Sequence, residues 1–385
     1  MMKRNGTFYV SRSTLLSAII LVSLSMIGAL EYTALELLGN NLLLVVIFEI
    51  VVAVFLVFVQ KYRIGRLVTL NTLIILAIIT YYKSGIPNFI LLIIIAIAFS
   101  SMEYKMGFKL IFISRALCFA GIIVLSLMGV LENKIIIIDK INRIFPVYTL
   151  GYSHPNRLAF SFVYLSLIFF CYKNTNISKR NCVITFIINI LFFLISGSRT
   201  SFVVILGFII LVYVLQFKEK LSVYLKKFLF VFSIPLFLLS LIFSMVIPIM
   251  YNIRRSKILV AINLLIQNRI SYAAKAFSMY DVTLFGGMTN FSKLLTISGV
   301  VDNSYVRFLF MFGYFGIGCL ALFSILTLVK LLKKGEYIYI VVILMMSLWA
   351  ISENVLCSFS FNIIAIFWGE IIRKENDLGK LTAKS

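Results

Sequence analysis

The sequence predicts an all-α, polytopic membrane protein with about 12 transmembrane helices and one large outward-facing loop that contains short helices. Three observations predict this fold class. The 385 residues are 62% hydrophobic and have a mean hydropathy of +1.07, whereas soluble domains are roughly 45–50% apolar. Apolar runs that approach the ~20 residues needed to cross a bilayer recur from end to end. Basic residues concentrate in the connectors between those runs.

Hydropathy and chain breaks delimit the individual spans. The first follows a basic start with Lys3 and Arg4, and the sequence shows no small-residue cleavage motif after it, so we expect a retained helix rather than a cleaved signal sequence. We expect one transmembrane domain over 1–385, with 251–302 as a loop subdomain. The predicted spans lie near 14–30, 42–59, 67–82, 86–101, 109–131, 157–172, 182–197, 199–216, 228–250, 303–329, 337–354 and 356–372.

The distribution of Lys and Arg predicts the orientation. Every second connector is rich in Lys, in some cases with Arg, which places those connectors and both termini in the cytoplasm. The net charge of +22 is explained by this topology, so no nucleic-acid partner is expected. On the outer side the cations gather mainly at 134–157, at Arg199 and at 254–307. Because cations are disfavoured in short outer loops, we expect these groups to bind an anion.

Arginine side chains in two separate outer loops are the candidate anion ligands. Arg199 lies in a Ser-Gly-Ser-Arg-Thr-Ser turn, where Gly197 permits a tight bend and a following helix would offer its N-terminus. Arg254 and Arg255 begin the long loop, and Arg269 lies farther along it. Guanidinium groups match phosphate oxygens well. The alternative for Arg199, Arg254 and Arg255 is contact with lipid headgroups. Lys275 is a further candidate substrate ligand.

The candidate proton-transfer groups lie beside these arginines in the sequence. His154 is the only histidine and precedes Pro155, so it is either a proton shuttle or a turn residue. Asp302 opens the tenth predicted span, where a carboxylate acts either as a helix cap or as a general base. Further candidate substrate contacts are Asn156, Asn303, Tyr305 and Glu353.

Several short motifs occur in an order that resembles Wzy-type O-antigen and capsular polysaccharide polymerases, which are akin to O-antigen ligases. They are GYSHPN at 151–156, SGSRT at 196–200, Arg269 followed by FG at 285–286, DNSY at 302–305 and FGYFGIG at 312–318. The resemblance covers the span plan and most of 145–320. Ligase-like relatives often have His-Asn where this chain has Asp302-Asn303, so either Asp302 or His154 is the base.

The resemblance implies an inverting, metal-independent glycosyltransferase of the GT-C type in the bacterial cytoplasmic membrane. Its donor and acceptor would be undecaprenyl-pyrophosphate-linked oligosaccharides on the outer leaflet, with no cofactor and no metal site. Arg199 and Arg269 would hold the departing undecaprenyl pyrophosphate. Partners implied beside the bilayer are a chain-length regulator and a flippase of the same pathway.

Two alternatives stay open at this point. An O-antigen ligase needs the same leaving-group site but transfers glycan to a lipid A core. A flippase or other transporter of lipid-linked oligosaccharides also fits twelve spans with a cationic cavity, although transporters commonly show internal repeats, and none is visible here.

Overall fold

The computed structural model describes residues 2–4, 7–9, 11–33, 42–59, 64–140, 143–266, 268–287 and 301–373. Those residues form fourteen α-helices, one 3-10 turn and two antiparallel hairpins. The helices are α1 Arg12–Leu30, α2 Leu42–Val59, α3 Ile64–Ser84, α4 Asn88–Ser100, α5 Tyr104–Leu127, α6 Pro155–Lys173, α7 Lys179–Ser196, α8 Arg199–Phe217, α9 Glu219–Ile253, α10 Lys257–Leu265, α11 Arg269–Met279, α12 Ser304–Lys334, α13 Tyr337–Ser352 and α14 Ile363–Ile372. The strands are β1 Met2–Arg4, β2 Thr7–Tyr9, β3 Ile135–Lys140 and β4 Arg143–Tyr148.

The described chain is mostly helical and has the helices expected of a membrane protein. Seven of the described helices (α1, α5 to α9 and α12) are long and apolar enough to cross a bilayer, and five shorter apolar stretches lie in α2, α3, α4, α13 and α14. Each of the twelve predicted spans overlaps one of these helices. The number of crossings and their orientation stay predictions. Large apolar side chains on outer helices remain exposed, among them Leu194 of α7 and Phe230 of α9, as expected of lipid-facing surfaces.

The prediction that the chain is all-α is wrong for two short hairpins. β3 pairs with β4 from Ile135↔Tyr148 to Lys140↔Arg143. Four consecutive isoleucines at 135–138 favour a strand because their β-branched side chains are restricted in a helix. Pro146 also prevents continuation of a helix through β4.

The stretch between α9 and α12 contains two short helices, as predicted for 251–302. The chain turns between α10 and α11, where Asn268 adopts φ 63°. Asn263 is buried and holds the turn together. Its amide donates to Asn268 Oδ1 at 3.0 Å and its Oδ1 accepts from the Ser271 N–H at 3.0 Å. Gln267 and residues 288–300 lie outside the described residues.

Local sequence signals explain many helix boundaries. Ser178 and Asn181 form a reciprocal capping box at the start of α7. Gly197 ends α7 in the left-handed conformation at φ 65°, which lets α8 begin two residues later. Side-chain contacts bring the ends of α1 and α13 together with the beginnings of α6, α8, α11 and α12. The candidate site lies where these ends meet.

Candidate functional site

A buried ion pair links three distant parts of the chain. The Arg269 Nη2 atom donates to Glu353 Oε1 at 2.8 Å, and the two side chains are only 10% and 4% exposed. The Thr200 hydroxyl donates to the same Oε1 at 2.7 Å. Arg269 begins α11, Thr200 lies in the first turn of α8 and Glu353 ends α13. Three helix ends therefore position one guanidinium group.

Asp302 is the second carboxylate beside this guanidinium. Its Oδ2 lies 3.9 Å from Arg269 Nη2, and its side chain keeps 33% of its surface exposed. Burial raises the pKa of Asp302 above its ordinary value, and the Arg269 cation is the largest opposing influence. Arg157, Arg307 and His154 oppose the shift more weakly. Of the two carboxylates beside Arg269, Asp302 is thus the one that solvent or a substrate can reach.

Glu353 is the acid that is fully enclosed. It follows α13, and its backbone N–H donates to the Trp349 carbonyl at 2.9 Å. Because its Oε1 already accepts two hydrogen bonds, its geometry suits orienting Arg269 rather than exchanging protons with a substrate.

His154 precedes α6 as its N-cap. Its Nδ1 accepts the Asn156 backbone N–H at 3.1 Å. In the neutral ring the proton is therefore assigned to Nε2, which is left to face outward as a donor. Burial and the nearby Arg157 cation lower the pKa of His154, while Asp302 opposes this shift. The imidazole is thus favoured as a neutral hydrogen-bond donor.

Arg157 and Arg307 end the two outer cation groups predicted from the sequence, 134–157 and 254–307, but neither is among the individually predicted site residues. Arg157 lies in the first turn of α6, and its Cζ is 4.1 Å from the ring centroid of Tyr32. Both arginines influence the Asp302 carboxyl electrostatically. The available signal for Arg157 was its position three residues after His154, which is about one helical turn. Arg307 likewise lies about one helical turn after the start of α12.

Two guanidinium donors at the site are buried without a hydrogen-bond partner among the described residues. They are Nη1 of Arg269 and Nη1 of Arg157. A buried unsatisfied donor is costly, and a charged one more so. The N-termini of α6, α8, α11 and α12 also meet here, and helix N-termini carry partial positive charge. The arrangement is therefore chemically suited to accept the oxygens of an anion.

Arg199 is not part of the buried pair. It is exposed at the first position of α8, and its side chain forms no hydrogen bond or ion pair with a described residue. Ser198 occupies the N-cap position, but its side chain does not hydrogen-bond the backbone and instead contacts the Ser201 hydroxyl. Arg199 is therefore beside an uncapped helix N-terminus, one residue from Thr200.

The remaining predicted ligands lie elsewhere or have structural contacts. Arg254 and Arg255 are exposed after α9, with the Arg255 Cζ 5.6 Å from the Tyr251 ring centroid. Lys275 is half-buried on α11. The structure does not bring these three cations to Glu353.

Asn156, Asn303 and Tyr305 take part in helix starts and packing. The Asn156 N–H binds His154, whereas the Asn303 side chain caps α12 by accepting from the N–H of Tyr305 at 3.0 Å. Tyr305 is fully buried, and its hydroxyl contacts the Ser240 hydroxyl and the Ser347 carbonyl, each at 3.0 Å. The Tyr305 hydroxyl thus joins α9, α12 and α13, away from the Asp302 carboxylate.

Comparison with known proteins assigns no family. No protein-family model, no curated protein and no solved structure matches the chain. Within the described ranges no three His, Cys, Asp or Glu side chains lie together as a metal site would require. Metal independence stays a prediction.

Proposed function

We propose that the chain polymerises polysaccharide repeat units carried on undecaprenyl pyrophosphate, with its site on the outer face of the bacterial cytoplasmic membrane. The observation that carries the proposal is the Arg269 guanidinium. Glu353, itself bound by the Thr200 hydroxyl, holds it, its Nη1 is buried without a partner among the described residues, and the partly exposed Asp302 carboxylate lies beside it. Glycosyl transfer from a diphosphate without a metal needs a fixed cation that stabilises the leaving group and a nearby base that accepts the hydroxyl proton.

In the proposed reaction a hydroxyl at the non-reducing end of a new lipid-linked repeat unit attacks the anomeric carbon of the growing glycan. The new glycosidic C–O bond forms on the face opposite the diphosphate, so the configuration inverts. The bond between the anomeric carbon and the phosphate oxygen breaks, and undecaprenyl pyrophosphate leaves with that electron pair. The hydroxyl proton passes to Asp302.

Arg269 and Arg157 would stabilise the charge that develops on the leaving diphosphate. Each of their unsatisfied Nη1 groups would donate a hydrogen bond to a phosphate oxygen. Substrate binding would therefore pair two buried donors. Arg199, exposed beside the open N-terminus of α8, would meet the diphosphate from solvent. These interactions strengthen as the leaving group gains charge and so lower the barrier.

The geometry supports Asp302 rather than His154 as the base. His154 Nδ1 is occupied by the Asn156 N–H, and its Nε2 carries the proton in the neutral tautomer. Asp302 has a partly exposed carboxylate and a pKa raised by burial, which makes it a stronger proton acceptor than an ordinary aspartate. His154 would instead donate from Nε2 to a substrate oxygen.

Reconstitution of the purified protein with undecaprenyl-pyrophosphate-linked repeat units tests the proposal. We expect a ladder of chain lengths that persists in chelator, and we expect Arg269→Ala to abolish it. Arg180→Ala is the matched control, because Arg180 is exposed at the start of α7, on the opposite side of the bundle. Transfer only to a lipid A core would identify a ligase, and lipid translocation without a new glycosidic bond would identify a transporter; either result contradicts the polymerase proposal.

A further inference from the structure

Two glycine motifs that the proposed mechanism leaves unused meet at a break in α12. The helix is interrupted at Gly313, where φ is 70° and ψ is −172°. The N–H groups of the next two residues would ordinarily bond to carbonyls four residues back. Instead Tyr314 donates to the Thr283 carbonyl at 3.1 Å and Phe315 donates to the Leu284 carbonyl at 2.9 Å. The segment 283–286 thus completes the hydrogen bonding of the interrupted helix.

Both glycines are required by close backbone contact. A Cβ added at Gly286 would lie 2.0 Å from the Met311 carbonyl oxygen, and one added at Gly313 would lie 2.3 Å from the Leu284 carbonyl oxygen. Both residues also have positive φ, at 77° and 70°. The obstructing atoms are backbone atoms, which cannot rotate away as a side chain does. We call this contact of 283–286 with 311–315 the glycine junction.

The glycine junction lies deep along α12. Gly313 follows Ser304 by nine residues, which is about 14 Å along a helix and close to half of the ~30 Å hydrocarbon core. Non-helical backbone is tolerated at that depth only where its polar groups are paired or solvated. The two hydrogen bonds from Tyr314 and Phe315 provide such pairing.

The glycine junction leaves residues 304–312 as a short half-helix fixed at both ends. At its start the Ser304 hydroxyl accepts the Val355 N–H at 2.8 Å and the Leu356 N–H at 3.1 Å. These residues lie two and three positions after Glu353, so one end of the half-helix is attached beside the buried ion pair. The glycine junction fixes the other end.

The half-helix also packs on α11. Ala273 and Ala276 lie in one buried cluster with Val306 and Phe310, and the Phe277 and Phe310 rings are 5.2 Å apart. Arg269 begins α11, and the segment 280–283 leads from the end of α11 into the glycine junction. Asp302 immediately precedes the half-helix. Each partner of the Arg269–Asp302 pair is therefore connected to the same junction by one short helix.

We infer that the glycine junction is a positioning device that sets the distance between Asp302 and Arg269. This inference rests on the proposed polymerase activity, in which Asp302 takes the proton and Arg269 holds the diphosphate. Arg269 also has an anchor outside the junction, because it donates to Glu353 and Thr200 of α8 donates to the same Glu353 oxygen. Disturbing the junction should therefore move the base without removing the diphosphate ligand, so that turnover falls while affinity for the diphosphate is kept.

The test compares Gly286→Ala and Gly313→Ala with matched glycine substitutions. Gly287→Ala and Gly318→Ala are the controls, because an added Cβ lies 3.8 Å from Thr283 at Gly287 and has nothing within 4 Å at Gly318. A displacement of about 1 Å at a reacting centre costs roughly 100-fold in rate. We expect kcat for polymerisation to fall about 100-fold in the first pair, with the Kd for undecaprenyl pyrophosphate within about threefold of wild type. Both values should be unchanged in the controls.

A second variant covers failure of the glycine variants to fold. Thr283→Val removes only the hydrogen bond from the Thr283 hydroxyl to the Gly286 carbonyl, and we expect kcat to fall about threefold to tenfold with the melting temperature unchanged. A folded Gly286→Ala variant with wild-type kcat would overturn the positioning role alone. If the glycine variants do not fold, a Thr283→Val variant with wild-type kcat would do the same. Wild-type protein that binds undecaprenyl pyrophosphate but forms no polymer overturns the polymerase assignment and the positioning role with it.

Discussion

Arg269 donates to Glu353 at 2.8 Å although 84 residues separate them, and both side chains are at least nine-tenths buried. Removing one member of a buried pair leaves an uncompensated charge, which typically costs about 3–5 kcal/mol. We therefore expect Glu353→Ala to lower the free energy of unfolding by about that amount. Exposed Glu219 is the control, and Glu219→Ala should change stability by less than about 0.5 kcal/mol. Denaturant titration in detergent measures both, and equal stability of the two variants would contradict a paired Glu353.

The pH dependence of turnover should report Asp302. Its pKa is raised by burial, so the acid limb of kcat/KM should lie above the ordinary aspartate pKa. Below that pKa the carboxyl is protonated and cannot take the hydroxyl proton, so the rate should fall tenfold per pH unit. Asp302→Asn should remove the activity and the limb together. An Asp302→Asn variant that keeps the wild-type profile would exclude Asp302 as the base.

His154 should contribute binding rather than base catalysis. Serine is a good N-cap, so His154→Ser should keep the start of α6 while removing the imidazole. We expect kcat to fall by less than about tenfold and the acid limb of the pH profile to persist, because Asp302 is unchanged. Steady-state kinetics across pH decide this. Loss of the acid limb in His154→Ser would assign the base to the histidine.

Arg157 should bind the diphosphate through its planar guanidinium. A lysine cannot reproduce the stacked, forked geometry over the Tyr32 ring. Hydrogen bonds to charged groups contribute about 1.5–3 kcal/mol, so we expect Arg157→Lys to weaken inhibition by undecaprenyl pyrophosphate about 10–100-fold. Unchanged inhibition in Arg157→Lys would remove Arg157 from the site.

Sequence reasoning predicted the helical elements well because apolar runs and local capping signals are properties of neighbouring residues. The twelve predicted spans overlap helices, and three of the predicted site residues, Arg269, Asp302 and Glu353, lie together in the structure. The contact of Thr200 with Glu353 depends on packing between helices 153 residues apart, which hydropathy does not report. Arg157 was missed as a ligand for the same reason, since its role depends on Tyr32 of α1 and on Asp302.

Two other differences between the sequence-based expectation and the structure arise from single residues. Asn263 accepts the Ser271 N–H and so stabilises a turn at Asn268 that helical spacing alone does not predict. The motif glycines at 286 and 313 could be read from sequence as flexible positions. Only the structure shows that they contact each other's backbone segments.

The most direct test of the account is the binding of undecaprenyl pyrophosphate to purified protein. The account predicts saturable binding to wild type, a Kd raised about 10–100-fold by Arg269→Ala, and an unchanged Kd in Arg180→Ala, the exposed control on the opposite side. Equal affinity of wild type and a folded Arg269→Ala variant would contradict the claim that this buried guanidinium holds a lipid diphosphate.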